Sequence, residues 1–134
     1  MNAMLTLTRN IASVAALAGL GLIVAAAPLA ASTAYDGVWT GTSKVAGADA
    51  GKGDGAGACL DSAVTVNVVA DTLRGAANHD GSYYYVEAKL ATDGTVKGFF
   101  SDYAFSGKFT GSSFSGTAVA PEGDCTRTIT LNRQ

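Results

Sequence analysis

The chain has 134 residues, 48% hydrophobic and only 15% charged, with a formal net charge of −2. That length holds one domain and excludes large layered enzymes such as the (β/α)8 barrel, which takes about 250 residues. The excess of acid over base excludes a nucleic-acid binder built on a basic face.

The first thirty-odd residues differ from the rest. Arg9 is the only charge before Asp36, and residues 11–27 are almost entirely Ala, Leu, Gly, Ile and Val. Small residues follow through Pro28, Ala30, Ala31 and Ser32. A basic start, an apolar stretch and a small-residue exit predict a secretory signal peptide over residues 1–32, cleaved after Ala31, Ser32 or Ala34. The alternative is a transmembrane anchor, for which the run is short and weakly apolar. Taking 32 residues from 134 leaves 102, which keep all 11 acids and lose Arg9, for a formal charge of −3. A chain of that size buries one modest core, somewhat more than about 60% of its unfolded surface.

Beyond Thr33 no window shows a 3.6-residue apolar period. Short alternating runs, separated by Gly, Asp, Asn and Ser, predict β-strands instead. The first spans residues 35–44 and carries Trp39. A loop over residues 45–58 follows, mostly Gly, Ala and Asp. Residues 63–70 place Val64, Val66 and Val68 on one face, with Thr65 and Asn67 on the other. A weaker strand covers 73–78, and Asp80-Gly81 marks a tight hairpin, because that pair tolerates positive φ. Residues 82–90 and 95–100 follow, joined through Thr92-Asp93-Gly94. After a break at Ser101-Asp102, Tyr103, Phe105, Gly107 and Phe109 share one face of the next strand. The last two strands cover 114–120 and 125–133, joined through Pro121-Glu122-Gly123-Asp124. In the final strand Ile129 and Leu131 lie on one face and Thr126, Thr128 and Thr130 on the other.

Eight candidate strands at spacings of about 8–12 residues predict an all-β sandwich or barrel. Glycines beside large rings on one face, as at Gly107 between Phe105 and Phe109, favour a tightly coiled, closed sheet. The expected fold is therefore a single small antiparallel up-and-down barrel over residues 33–134.

Cys59 and Cys125 are the only cysteines, 66 residues apart. In an exported protein they are expected to form a disulfide, stabilising by about 4 kcal/mol through lost freedom of the unfolded chain. The alternative is a pair of thiols for metal or redox work. There is no C-x-x-C, and one His supplies too few further soft ligands for zinc.

Gly37-Val38-Trp39 in the first strand, with Arg127 and Arg133 in the last, resembles the signature of the calycin superfamily, which includes lipocalins and avidins. The resemblance implies a barrel whose Trp39 lies at the bottom, under Arg127 or Arg133. A single Trp leaves no further tryptophans for a biotin site of the avidin kind.

Residues for chemistry are scarce. His79, the one histidine, precedes a turn, and no serine sits in a nucleophile elbow. Asp71, Asp80, Asp93, Asp102 and Asp124 fall in turns, where a carboxylate bonds its own backbone. The glycine-rich stretch around Lys52 lacks the spacing of a phosphate loop. Asp49, Asp54 and Asp61 offer oxygen ligands for weak Ca²⁺ binding, without the EF-hand pattern. No catalytic residue, metal site or cofactor is expected. A glycosidase would need two carboxyls across a cleft, and none is visible. An outer-membrane barrel would need spanning strands of about 9–11 residues with an outward apolar band.

Alternation across Tyr83, Tyr84 and Tyr85 turns Tyr83 and Tyr85 outward when Tyr84 faces in. Exposed tyrosines suit recognition of a protein or glycan, although cross-strand pairing that only stabilises the sheet is the plainer explanation. The expectation is a periplasmic or secreted binding protein, not an enzyme. Trp39 and Phe105 would line a small apolar ligand inside the barrel, or Tyr83 and Tyr85 would meet an extracytoplasmic macromolecule. The first alternative is an inhibitor of a secreted hydrolase acting through the loop over 45–58. The second is a small hydrolytic or isomerising enzyme.

Overall fold

Alternating burial along each segment decides the architecture. In the second strand Ser62, Val64, Val66 and Val68 are buried while every intervening residue is exposed. That two-residue period turns one face to a core and the other to solvent. The same period recurs in all eight strands of the computed structural model, which describes residues 33–47, 49–51 and 59–134. The predicted leader over 1–32 lies outside the described residues, as do positions 48 and 52–58 of the predicted inhibitory loop.

The strands are β1 (Gly37–Val45), β2 (Ser62–Val69), β3 (Thr72–His79), β4 (Ser82–Leu90), β5 (Thr95–Phe100), β6 (Tyr103–Thr110), β7 (Ser113–Val119) and β8 (Thr126–Arg133). Each pairs antiparallel with its neighbours in sequence, and β1 pairs with β8 to close the cylinder. The result is an all-β, eight-stranded up-and-down barrel, compatible with the calycin architecture. Closure leaves no unpaired sheet edge.

Predicted strand limits agree within one or two residues. The largest difference is at the start of β1, where Tyr35 and Asp36 form a turn rather than strand. The Asp36 carboxylate explains it. Its Oδ1 accepts hydrogen bonds from the Thr33 N–H at 3.0 Å, the Thr33 hydroxyl at 2.8 Å and the Ala70 N–H at 3.0 Å. The Asp80-Gly81 turn has φ of +47° and +83°, the two positive values that a type I′ hairpin requires.

Close strand contact needs glycine at two inward positions in particular. A Cβ on Gly41 would fall 1.9 Å from the Thr130 carbonyl oxygen, and one on Gly98 would fall 2.2 Å from that of Glu87. Both distances are far inside van der Waals contact. Side-chain-free positions let the sheet coil tightly enough to close around a core of rings.

Up-and-down order gives the barrel two unlike ends. The floor collects the start of β1, the turn between β2 and β3, and the end of β8. The mouth collects the end of β1 and the turns at 80–81, 101–102 and 120–125. Between them lie Trp39, Phe100, Phe105, Phe109, Phe114 and a set of valines and leucines, all buried. Cys59 and Cys125 are joined by a disulfide at the mouth, with Cα atoms 5.8 Å apart. This bond belongs to an oxidising, extracytoplasmic environment.

Candidate functional site

Strand parity places the residues that matter. On β8, Arg127, Ile129 and Leu131 face inward and are buried, while Thr128 and Thr130 are exposed. Arg127 is thus carried into the mouth of the barrel and is 4% exposed. Its guanidinium carbon lies 5.2 Å from the centre of the Tyr103 ring and 5.6 Å from that of Phe100. A delocalised cation over ring faces is favourable, and more so away from water.

One hydrogen bond fixes the guanidinium plane, from Nη1 to the Leu60 carbonyl. Nε is buried without a partner. The other two buried, unpartnered side-chain atoms among the described residues are the hydroxyls of Ser43 and Ser62. These serines pair across β1 and β2, and Ser43 also pairs with Ile129, two residues from Arg127. Orphaned polar atoms are uncommon in interiors and costly where they occur. Here all three gather in the upper half of the barrel.

A pocket of about 270 Å³ opens beside Arg127, and neither serine lines it. Tyr84, Phe100, Tyr103 and Arg127 form its inner wall, and the turns bearing Asp102, Glu122 and Asp124 form its rim. Nearby, the Val45 N–H holds the Asp61 carboxyl below its ordinary value, with Lys44 and, least of all, Arg127 acting the same way.

The floor is closed. Trp39 is fully buried and donates from Nε1 to the Tyr35 carbonyl at 2.8 Å. Arg133 lies over its ring at 5.0 Å and donates to the Ala34 carbonyl. Tyr35 stacks on Phe109 at 5.2 Å, and Phe109 meets Trp39 at 4.6 Å. The two arginines expected near Trp39 therefore separate. Arg133 covers the tryptophan, whereas Arg127 takes no part there, because β8 carries it to the opposite end.

The residues expected to bind a ligand or partner do not converge either. Trp39 belongs to the floor. Phe105 is buried against Phe114, ring centres 5.6 Å apart, with only 3% of its surface accessible. Tyr83 and Tyr85 stand outside, 68% and 81% exposed, while Tyr84 packs partly against the core. Tyr85 faces Ala76 on β3. A second outward row runs through Phe99, Ala104 and Val119 on β5, β6 and β7, in register with Glu87 on β4, two residues along from Tyr85.

The remaining polar candidates are engaged in structure. His79 Nδ1 lies 2.6 Å from the Asp61 carbonyl oxygen, at the end of β3 beside the 80–81 turn. Asp61 accepts from the Val45 N–H and the Lys44 ammonium, and Asp49 accepts from the Thr126 N–H. Asp54 lies outside the described residues. Glu87 pairs with Arg74 at 3.1 Å, both exposed.

The sequence reading missed Arg127, Phe100, Tyr103 and Tyr84 as one group. The signal was present in β8: an arginine in phase with Ile129 and Leu131 must face inward. Comparison of the chain with protein-family models, curated proteins and solved structures found no match.

Proposed function

We propose that the protein is an exported, non-catalytic binding protein of calycin-like build that takes a small ligand at the mouth of its barrel. One observation carries the reading. Arg127, a buried cation with an unused N–H donor, stands in the wall of an aromatic pocket. Such donors are costly to bury unpaired, so a ligand acceptor has much to gain there. Rings fill the space below, which favours the mouth over the deep interior as the ligand's seat. The disulfide supports passage to the periplasm or the medium. His79 does not line the pocket and is engaged with the Asp61 carbonyl, which supports binding rather than acid–base chemistry.

Native mass spectrometry of the protein purified from its own organism tests this. The expected result is a low-mass adduct that is retained by the wild type and lost from Arg127→Gln. An adduct retained equally by Arg127→Gln, or none at all, contradicts it.

The exposed rings of Tyr83, Tyr85 and Phe99 favour a second reading, an extracytoplasmic macromolecule docked on the barrel wall. Under that reading Tyr83→Ala with Tyr85→Ala abolishes capture of the partner and leaves any low-mass adduct in place.

A further inference from the structure

The charges around the mouth have an order. The cation is inside and buried, while three carboxylates stand outside on the rim. Among the described residues no carboxylate makes a contact ion pair with Arg127, which Asp61 meets only at longer range, and Asp102, Glu122 and Asp124 make no contact ion pair with a cation. An unpaired cation in a low-dielectric wall is costly, and it attracts an anion strongly. A rim of like negative charge opposes the entry of a simple anion. Both conditions are met by a ligand that carries its negative end inward and its positive end outward.

The free edge of Arg127 identifies the anion. Nη1 is held by Leu60, which leaves Nε and Nη2, the side of the guanidinium that two carboxylate oxygens bridge in parallel. Nε is closed off from solvent, so seating both oxygens requires a neighbouring side chain to move aside. Phe100, Tyr103 and Tyr84 supply ring surface between the two charged ends.

We infer that the mouth pocket binds a small zwitterion, with its carboxylate on the Nε–Nη2 edge of Arg127, its body against the aromatic wall and its ammonium among Asp102, Glu122 and Asp124. A short peptide or an amino acid with separated charges fits that description. This inference rests on the mouth being the binding site and adds the ligand's charge pattern.

Titration calorimetry on the disulfide-bonded protein, with three probes of nearly one shape, provides the test. The zwitterion 4-(aminomethyl)benzoate is compared with 4-methylbenzoate, which has only the anion, and 4-methylbenzylamine, which has only the cation. The zwitterion is expected to bind at least tenfold tighter than either. Arg127→Lys, which keeps the charge but not the two-pronged edge, should weaken it at least tenfold. Glu122→Gln with Asp124→Asn, both on exposed turns, should bring the zwitterion and 4-methylbenzoate to within about threefold of each other. That rim variant decides the matter if changes at Arg127 impair folding.

Equal or tighter binding of 4-methylbenzoate by the wild type overturns the inference, as does failure of all three probes to bind. In either case a native adduct that depends on Arg127 still upholds the mouth as the site, so the two proposals fail separately.

Discussion

Arg127 and Arg133 share the inward face of β8, six residues apart, and serve opposite ends of one cylinder. At about 3.3 Å per residue they are separated by roughly 20 Å. Arg133 completes a closed floor by covering Trp39 and bonding to the Ala34 carbonyl. Arg127, on the same parity, reaches a mouth that holds unpartnered donors and open volume. Each guanidinium meets a ring and a carbonyl, and the difference lies in burial. Arg133 is exposed to solvent, whereas Arg127 is buried with its Nε unpartnered.

If the mouth is the binding site, as proposed, Arg133 serves stability and not binding. Arg133→Ala removes a cation–π contact worth about 0.5–1 kcal/mol at a solvent-accessible site and a charge-assisted hydrogen bond besides. Urea unfolding is expected to show a loss of about 1–2 kcal/mol, with ligand affinity per folded molecule unchanged. A loss of affinity equal to that of the Arg127 variants would remove the division of labour between the two ends.

Much of this organisation was legible before any coordinates. Eight strands, their turns and the closed barrel follow from two-residue alternation and from Asp-Gly and Asn-like turn chemistry. The disulfide follows from two cysteines in a chain whose first residues read as an export signal. The end at which each arginine acts was not legible from Gly37-Val38-Trp39 alone, because the resemblance specifies a Trp–Arg contact without a register. Register is set by β1 pairing with β8, where Trp39 faces Arg133 and Val45 faces Arg127. The mouth pocket was hidden for a related reason. Tyr84, Phe100, Tyr103 and Arg127 come from four strands, and only closure of the sheet brings them together. Phe105 looked available because alternation finds the inward face but not how completely other rings fill it.

Gly98 tests how tightly the sheet is coiled. A methyl group there would sit 2.2 Å from the Glu87 carbonyl oxygen and 2.4 Å from the Ala88 Cα. Backbone on two strands must move to admit it, and forced repacking of this kind costs about 1–3 kcal/mol or more. Gly98→Ala is expected to lower the thermal midpoint by several degrees. Alanine at the open turn position Gly111, where a Cβ meets nothing within 4 Å but φ is +58°, makes a comparison limited to backbone strain. An unchanged midpoint for Gly98→Ala contradicts the close approach of β4 and β5.

Acid sensitivity follows from four aspartates held below the ordinary carboxylate value. For Asp36 the Thr33 N–H is the largest cause, with the Thr33 hydroxyl next; for Asp61 it is the Val45 N–H, for Asp71 the Thr72 hydroxyl and for Asp93 the Thr95 N–H. Each folded value lies below the unfolded one of about 3.9, so each contribution is complete above that pH. As pH falls through 4 and then through the lower folded values, protonation removes the bonds and the stability with them. Unfolding curves from pH 6 to pH 2 should be flat above about pH 5 and fall steadily below pH 4. Asp36→Asn with Asp61→Asn should flatten the acid limb. A decline centred near pH 6 would contradict this assignment.

The claim on which the account depends is that the mouth, not the wall or the floor, receives the ligand. Backbone and arginine side-chain NMR of the ¹⁵N-labelled protein, recorded while a low-molecular-weight extract of its own organism is added, reads this directly. The account predicts shifts at the 101–102 and 120–124 turns and at the Arg127 Nε–H, with Trp39 Nε1–H and Arg133 unmoved. Shifts confined to Tyr83, Tyr85 and Phe99, or an Arg127 resonance that no fraction moves, would contradict it.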